Sequence, residues 1–140
     1  MKATVRWANG MRFVATPESG ARITLDALPE HGGSGQGPSP METVLLALGG
    51  CTGMDVISIL QKMRAPLDGL EIRIAADRAD THPKVFTRIT LEYVFSGPDL
   101  QPDQVKRAVE LSQEKYCSVS AMLRRAADLT YSWRIAGASA

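Results

Sequence analysis

The stretch from Thr43 to Met63, apolar on nearly every side as far as Leu60, constrains this chain most. Ser39-Pro40-Met41-Glu42 opens it as a helix. Ser39 can cap, Pro40 suits the first helical position, and Glu42 completes a capping box. Pro66 stops it, so a helix is expected over 39–65. A helix with no polar face has to be buried on most sides. Gly49-Gly50 in its middle costs about 2 kcal/mol of helix propensity. The pair therefore marks a kink, or the close approach of another backbone beside Cys51. A thin chain of 140 residues offers such a helix little cover. Two copies wrapped around each other would supply it, which points to an obligate homodimer.

Around that helix the pattern alternates. Ala3, Val5 and Trp7 oppose Lys2, Thr4 and Arg6; Ile23, Leu25 and Ala27 oppose Arg22, Thr24 and Asp26. Half-buried antiparallel strands read this way, with Thr16-Pro17-Glu18-Ser19-Gly20 as the intervening turn. Strand patterns return at Leu70, Ile72 and Ile74, and at Val85, Thr87, Ile89, Leu91, Tyr93 and Phe95. Pro102 begins a second helix over 102–125, with Tyr116 to Ser120 as an irregular stretch. Leu129, Tyr131, Trp133 and Ile135 make a last strand. The order is that of an α+β chain, mostly antiparallel sheet covering helices, in a single domain over 1–140. Residues 31–38 are glycine-dense and read as a flexible loop: hinge, lid or connector. No Gly-Lys-Ser/Thr follows them, which sets aside a phosphate loop.

Composition narrows the function. Apolar residues make up 44% and charged residues 22%, as in ordinary globular chains, and the formal net charge is +1. No basic field exists to drive nucleic-acid binding. No uninterrupted apolar run approaches the roughly 18–20 residues of a membrane span, and the N-terminus lacks a signal-peptide core, so the expectation is a cytoplasmic protein without a membrane partner. Two cysteines in that compartment are either buried and inert or redox-active.

Both cysteines, Cys51 and Cys117, fall in the helical segments, 66 positions apart. A reactive thiol needs a cation or a helix N-terminus to stabilise its thiolate. Cys51 lies about three turns into its helix, where the dipole helps little. Arg12 and Arg22 are the candidate cations; each has an ordinary alternative as a solvated strand residue. Asp55, four residues after Cys51, shares its helical face. Alone it would suppress the thiolate, and paired with an arginine it would position the cation. Its ordinary alternative is a packing carboxylate at a helix interface. Glu42 lies nine residues before Cys51, about 900° around an ideal helix and so on the opposite face. It reaches a Cys51 only through a bend at the glycines or on a partner chain. Its capping role stands either way. His31 and His82 are isolated, with no ligand cluster at metal spacing, so no metal or other cofactor is expected.

Gly37-Pro38-Ser39-Pro40-Met41-Glu42 and Leu45-Leu46-Ala47-Leu48-Gly49-Gly50-Cys51 resemble the OsmC/Ohr family around its first cysteine. Glu114-Lys115-Tyr116-Cys117-Ser118-Val119 resembles the segment around its second. Met54-Asp55-Val56-Ile57-Ser58-Ile59-Leu60-Gln61-Lys62 and Arg107-Ala108-Val109-Glu110-Leu111-Ser112 look most like the YhfA-like subgroup. The resemblance spans nearly the whole chain. It implies an intertwined homodimer with two sheets and central helices. It also implies a peroxidatic Cys51, a resolving Cys117, small hydrophobic hydroperoxides as substrates and a dithiol reductant of the lipoyl type. The family's catalytic glutamate would align with Met41, one place before Glu42. Its hairpin arginine would fall near Asn9, with Arg12 the nearest substitute. A thiol-dependent organic hydroperoxide reductase is the leading expectation. The alternative is a non-catalytic binding or sensing dimer for a small hydrophobic ligand.

Overall fold

The computed structural model describes residues 1–137; the last three positions of the expected 1–140 domain lie outside the described residues. The described chain forms two compact units, Met1–Leu46 and Ala47–Ala140. It is α+β, with two sheets of three strands and three α-helices among the described residues.

The first unit holds a sheet of β1 (Ala3–Asn9), β2 (Arg12–Pro17) and β3 (Ile23–Leu25), paired antiparallel in that order. The alternation in β1 and β3 foretold their strands but not β2 between them. Its signal was Asn9-Gly10, a tight-hairpin pair: Gly10 sits at a φ of 52°, and the Trp7 indole N–H donates to its carbonyl. In the single chain every residue of β1 is exposed, Trp7 at 64%, where the alternation predicted half-burial.

The glycine-dense loop is not loose. Asp26, expected on the outer side of its strand, is 2% exposed. Its carboxylate accepts backbone N–H groups from Ala27 (2.7 Å), Gln36 (3.1 Å) and Ser34 (3.4 Å). These bonds, with Ala27 first, hold its pKa below the usual carboxylate value. A Cβ at Gly33 or Gly37 would overlap the carbonyl oxygen of Ala27 or Thr24, so the loop lies directly against the chain it follows.

The helix α1 runs Pro40–Lys62. Its start is the expected capping box: Ser39 N–H donates to Glu42 Oε1 (2.9 Å) and Glu42 N–H to Ser39 Oγ (3.2 Å). By length and composition α1 passes for a membrane span, its most apolar 18-residue window having a mean hydropathy of 1.8, as the core helix of a soluble protein also can. Within one chain it buries one i, i+4 stripe, Leu48, Thr52, Val56 and Leu60.

The second unit is built on β4 (Gly69–Arg78), β5 (Phe86–Ser96) and β6 (Asp128–Ile135). The pair β4–β5 is antiparallel, but β5–β6 is parallel, with the helical crossover between them that a parallel pair needs. Ile89, Leu91, Tyr93 and Phe95 point inward as their period requires. Further back, Phe86 is buried while Val85 and Thr87 face out, the reverse of the expected phase, because the register shifts at Asp77/Arg78. Gly49 and Gly53, one turn apart, face β4: a Cβ on either would meet the side chain of Ile74 or Ile72. The diglycine is therefore half an approach device, since nothing lies within 4 Å of a Cβ at Gly50.

The second helical region, expected over 102–125 with an irregular stretch at Tyr116 to Ser120, is three pieces. Helix α2 (Pro102–Leu111) runs into a π-helical turn, Ser112–Tyr116, and helix α3 (Ser118–Leu123) follows. Val105, Ala108 and Val109 bury the inner face of α2.

Candidate functional site

The π-helical turn positions the second cysteine. Its wider winding turns Ser112 and Gln113 inward, both buried, and ends at Cys117, whose N–H donates to the Ser112 carbonyl (2.7 Å). Cys117 then caps α3, its Sγ accepting the Ser120 N–H at 3.4 Å. It is 3% exposed. Burial raises its thiol pKa, the Ser120 N–H offsets part of that, and the nearby Cys51 raises it further.

Cys51, half-buried on α1, comes to the same place. Sulfur ligand atoms of Cys51 and Cys117 and a carboxylate oxygen of Asp55 all lie within 4.8 Å of one another. Both cysteines are free thiols. Spacing along the chain could not reveal this trio: Asp55 follows Cys51 by one helical turn, but Cys117 arrives from another element.

Behind the trio lies a buried polar chain that sequence reading missed. Ser112 Oγ donates to Asp55 Oδ2 (2.9 Å). An ionised carboxylate only accepts, which fixes the direction of every bond behind it. Ser112 accepts from Thr52 Oγ1 (2.7 Å), and Thr52 accepts from the Tyr93 hydroxyl (2.6 Å). Gln113 Nε2 donates to Tyr93 (2.6 Å) and to Thr52 (3.3 Å). Arg124 orients that amide by donating to the Gln113 Oε1 and backbone carbonyl, each at 3.0 Å. Desolvation raises the pKa of Tyr93, so the chain keeps its phenolic proton. The available signal was a run of polar residues, Thr52, Ser112 and Gln113, on otherwise apolar helix faces.

The remaining expected site residues lie in the first unit. The Glu42 carboxylate is engaged in the capping box, where the Ser39 backbone N–H is the main cause of its lowered pKa. Arg12 donates from Nη1 to Gln36 Oε1 (3.3 Å), and its buried Nε finds no acceptor among the described residues. Arg22 is exposed, beside Arg6 in a groove over Thr4, Val14 and Thr16. In the second unit, an open groove of about 390 Å³ begins at Asp55 and runs along Ile59, Lys62, Met63, Leu111 and Tyr116.

This fold, with a cysteine pair drawn from a central helix and a later helical turn, is that of the OsmC proteins. The family model described as OsmC-like protein matches residues 33–132, and the chain belongs to that family. Protein YhfA of Escherichia coli (strain K12) is 43% identical over 139 residues, 99% of this chain and 100% of that one. A crystal structure of a hypothetical protein from Aquifex aeolicus VF5 superposes with a TM-score of 0.83 at 32% identity, over 96% of this chain and 94% of that one. The organic hydroperoxide resistance protein OhrB of Bacillus subtilis shares the fold at a TM-score of 0.61 and 18% identity, over 95% of this chain and 96% of that one.

Proposed function

We propose that this protein reduces organic hydroperoxides at Cys51 and returns to its starting state through a Cys51–Cys117 disulfide. The observation that carries this reading is the gathering of both free thiols and Asp55 within 4.8 Å. Cys51 gives up its thiol proton. The thiolate attacks the outer peroxide oxygen, the O–O bond breaks, and the alcohol leaves with a proton, so Cys51 becomes a sulfenic acid. Cys117 then attacks that sulfur as a thiolate, its proton passing to the departing hydroxyl, which leaves as water as the disulfide forms. A dithiol, such as a dihydrolipoyl group, then restores both thiols and is itself oxidised. The relation of the fold to OhrB supports this chemistry.

The reading includes a second copy of the chain. Opposite the buried stripe of α1 runs an exposed one, with Leu46 at 60% and Met54 at 76%, and Gly50 and Ser58 between and after them. The two large apolar side chains exposed on this face mark an interaction surface. Covering them with their own equivalent is the burial a homodimer would supply, and the reading places that dimer in the cytoplasm.

The test is turnover of cumene hydroperoxide with a dithiol, comparing the wild type with Cys51→Ser. Turnover in the wild type alone is expected; equal rates, or none in either, would overturn the proposal. The groove beside Asp55 favours a second reading, a binding protein for a small hydrophobic ligand. Ligand affinity unchanged in Cys51→Ser, without peroxide turnover in the wild type, would select it.

A further inference from the structure

The same three side chains make a second kind of site. We propose that Cys51, Cys117 and Asp55 bind a thiophilic divalent cation, zinc above all, in the reduced protein. The donor set is two thiolates and a carboxylate, a combination that suits zinc. A tetrahedral zinc, with bonds of about 2.3 Å to sulfur and about 2.1 Å to oxygen, holds its sulfurs about 3.8 Å apart and each sulfur about 3.6 Å from the oxygen. Both separations fall inside the 4.8 Å span of the cluster. Three protein ligands leave the fourth tetrahedral position to water.

What surrounds the ligands fits a metal better than it fits an isolated thiol. Ser112 donates to one oxygen of Asp55, which orients the carboxylate and leaves its other lone pairs free. The Ser120 N–H already points at Cys117 Sγ, where it would stabilise a bound thiolate. At the buried Cys117 sulfur a cation supplies the compensating charge that solvent does not, which favours the thiolate there. Binding therefore exchanges thiol protons for the cation: M²⁺ displaces one proton from each cysteine that is protonated at the working pH, and no electrons move.

Peroxide plays no part in this binding, so the inference and the hydroperoxide reading can fail separately. The test uses reduced, full-length protein with zinc chloride, in competition with a chromophoric chelator, and cobalt(II) chloride as a spectroscopic probe. The expected result is one cation per chain, proton release on binding, and thiolate-to-cobalt charge-transfer absorption in the near ultraviolet. Cys51→Ser and Cys117→Ser should each remove most of that absorption. Ser112→Ala, which frees the carboxylate to turn and also removes the acceptor of the Thr52 hydroxyl, should weaken zinc by about 10-fold or more, and Asp55→Asn by at least as much. Wild type alkylated at both thiols provides a control independent of any substitution and should not bind. No binding by the reduced protein, binding that survives alkylation, one cation per two chains, or Asp55→Asn with wild-type affinity would each overturn the proposal.

Discussion

Replacing Thr52 by valine keeps the side-chain shape and removes one hydroxyl from the centre of the buried polar chain. That hydroxyl accepts from Tyr93 and donates to Ser112. Tyr93 has Gln113 as a donor to its oxygen but no second acceptor for its own O–H. Thr52→Val therefore orphans a buried donor and leaves Ser112 short of one partner. An unsatisfied buried donor costs about 1–3 kcal/mol, and with the lost bond to Ser112 the expected destabilisation is about 2–4 kcal/mol. Tyr93→Phe removes the donor itself. Thr52 keeps the Gln113 N–H and its bond to Ser112, so this change should cost only about 1 kcal/mol. In the double variant the orphaned Tyr93 O–H is gone but the buried Gln113 Nε2 loses both of its acceptors, so one orphan replaces another and the cost should be about that of Thr52→Val alone, short of the sum by about 1 kcal/mol. Urea unfolding of the four proteins at one concentration measures all of these. Thr52→Val within 0.5 kcal/mol of wild type (roughly the scatter of an unremarkable substitution), or a strictly additive cycle, would refute the directional chain.

Burial raises the Cys117 pKa, so the folded state holds that proton more tightly than the unfolded chain does. The stabilisation is full below the ordinary thiol value of 9.0 and is lost as pH rises above it. The stability difference between wild type and Cys117→Ser should therefore shift against wild type above that pH, read from urea midpoints. Limiting iodoacetamide at neutral pH should label the half-buried Cys51 before the buried Cys117, read by peptide mass mapping. Gly33→Ala drives a methyl group into the Ala27 carbonyl and should cost about 1–3 kcal/mol, as overpacking does, whereas a thermal midpoint equal to wild type would contradict the close approach. Met54→Asp puts a charge in the middle of the exposed face of α1 and should give a monomer by light scattering under conditions where the wild type is expected to give the proposed dimer.

Local chemistry was legible where it acts within a few residues. Ser39 and Glu42 specify the start of α1 from adjacent positions, and the bonds they make are the expected ones. The same holds for the strands of the second unit, whose period two needs no partner to be read. What went unread depends on contacts far apart in sequence. Asp26 looks like a solvated strand residue until the loop at 34–36 folds back to donate to it. The phase of Phe86 follows a register shift set against β4. The grouping of Thr52, Tyr93, Ser112 and Gln113 draws on three elements, and no spacing reveals it. At the candidate site, sequence supplied the two cysteines and Asp55, but not the π-helical turn that delivers Cys117. The expected irregularity at Tyr116 to Ser120 touched that turn's end without showing its cause, the inward rotation of Ser112 and Gln113.

The central claim is that Cys51 takes oxygen from a hydroperoxide and Cys117 resolves it. Intact mass spectrometry after one equivalent of cumene hydroperoxide tests this most directly. The wild type should lose two hydrogens as the Cys51–Cys117 disulfide forms, Cys117→Ser should gain one oxygen at Cys51, and Cys51→Ser should be unchanged. An unmodified wild type, or oxidation that persists at Cys117 in Cys51→Ser, would contradict the account.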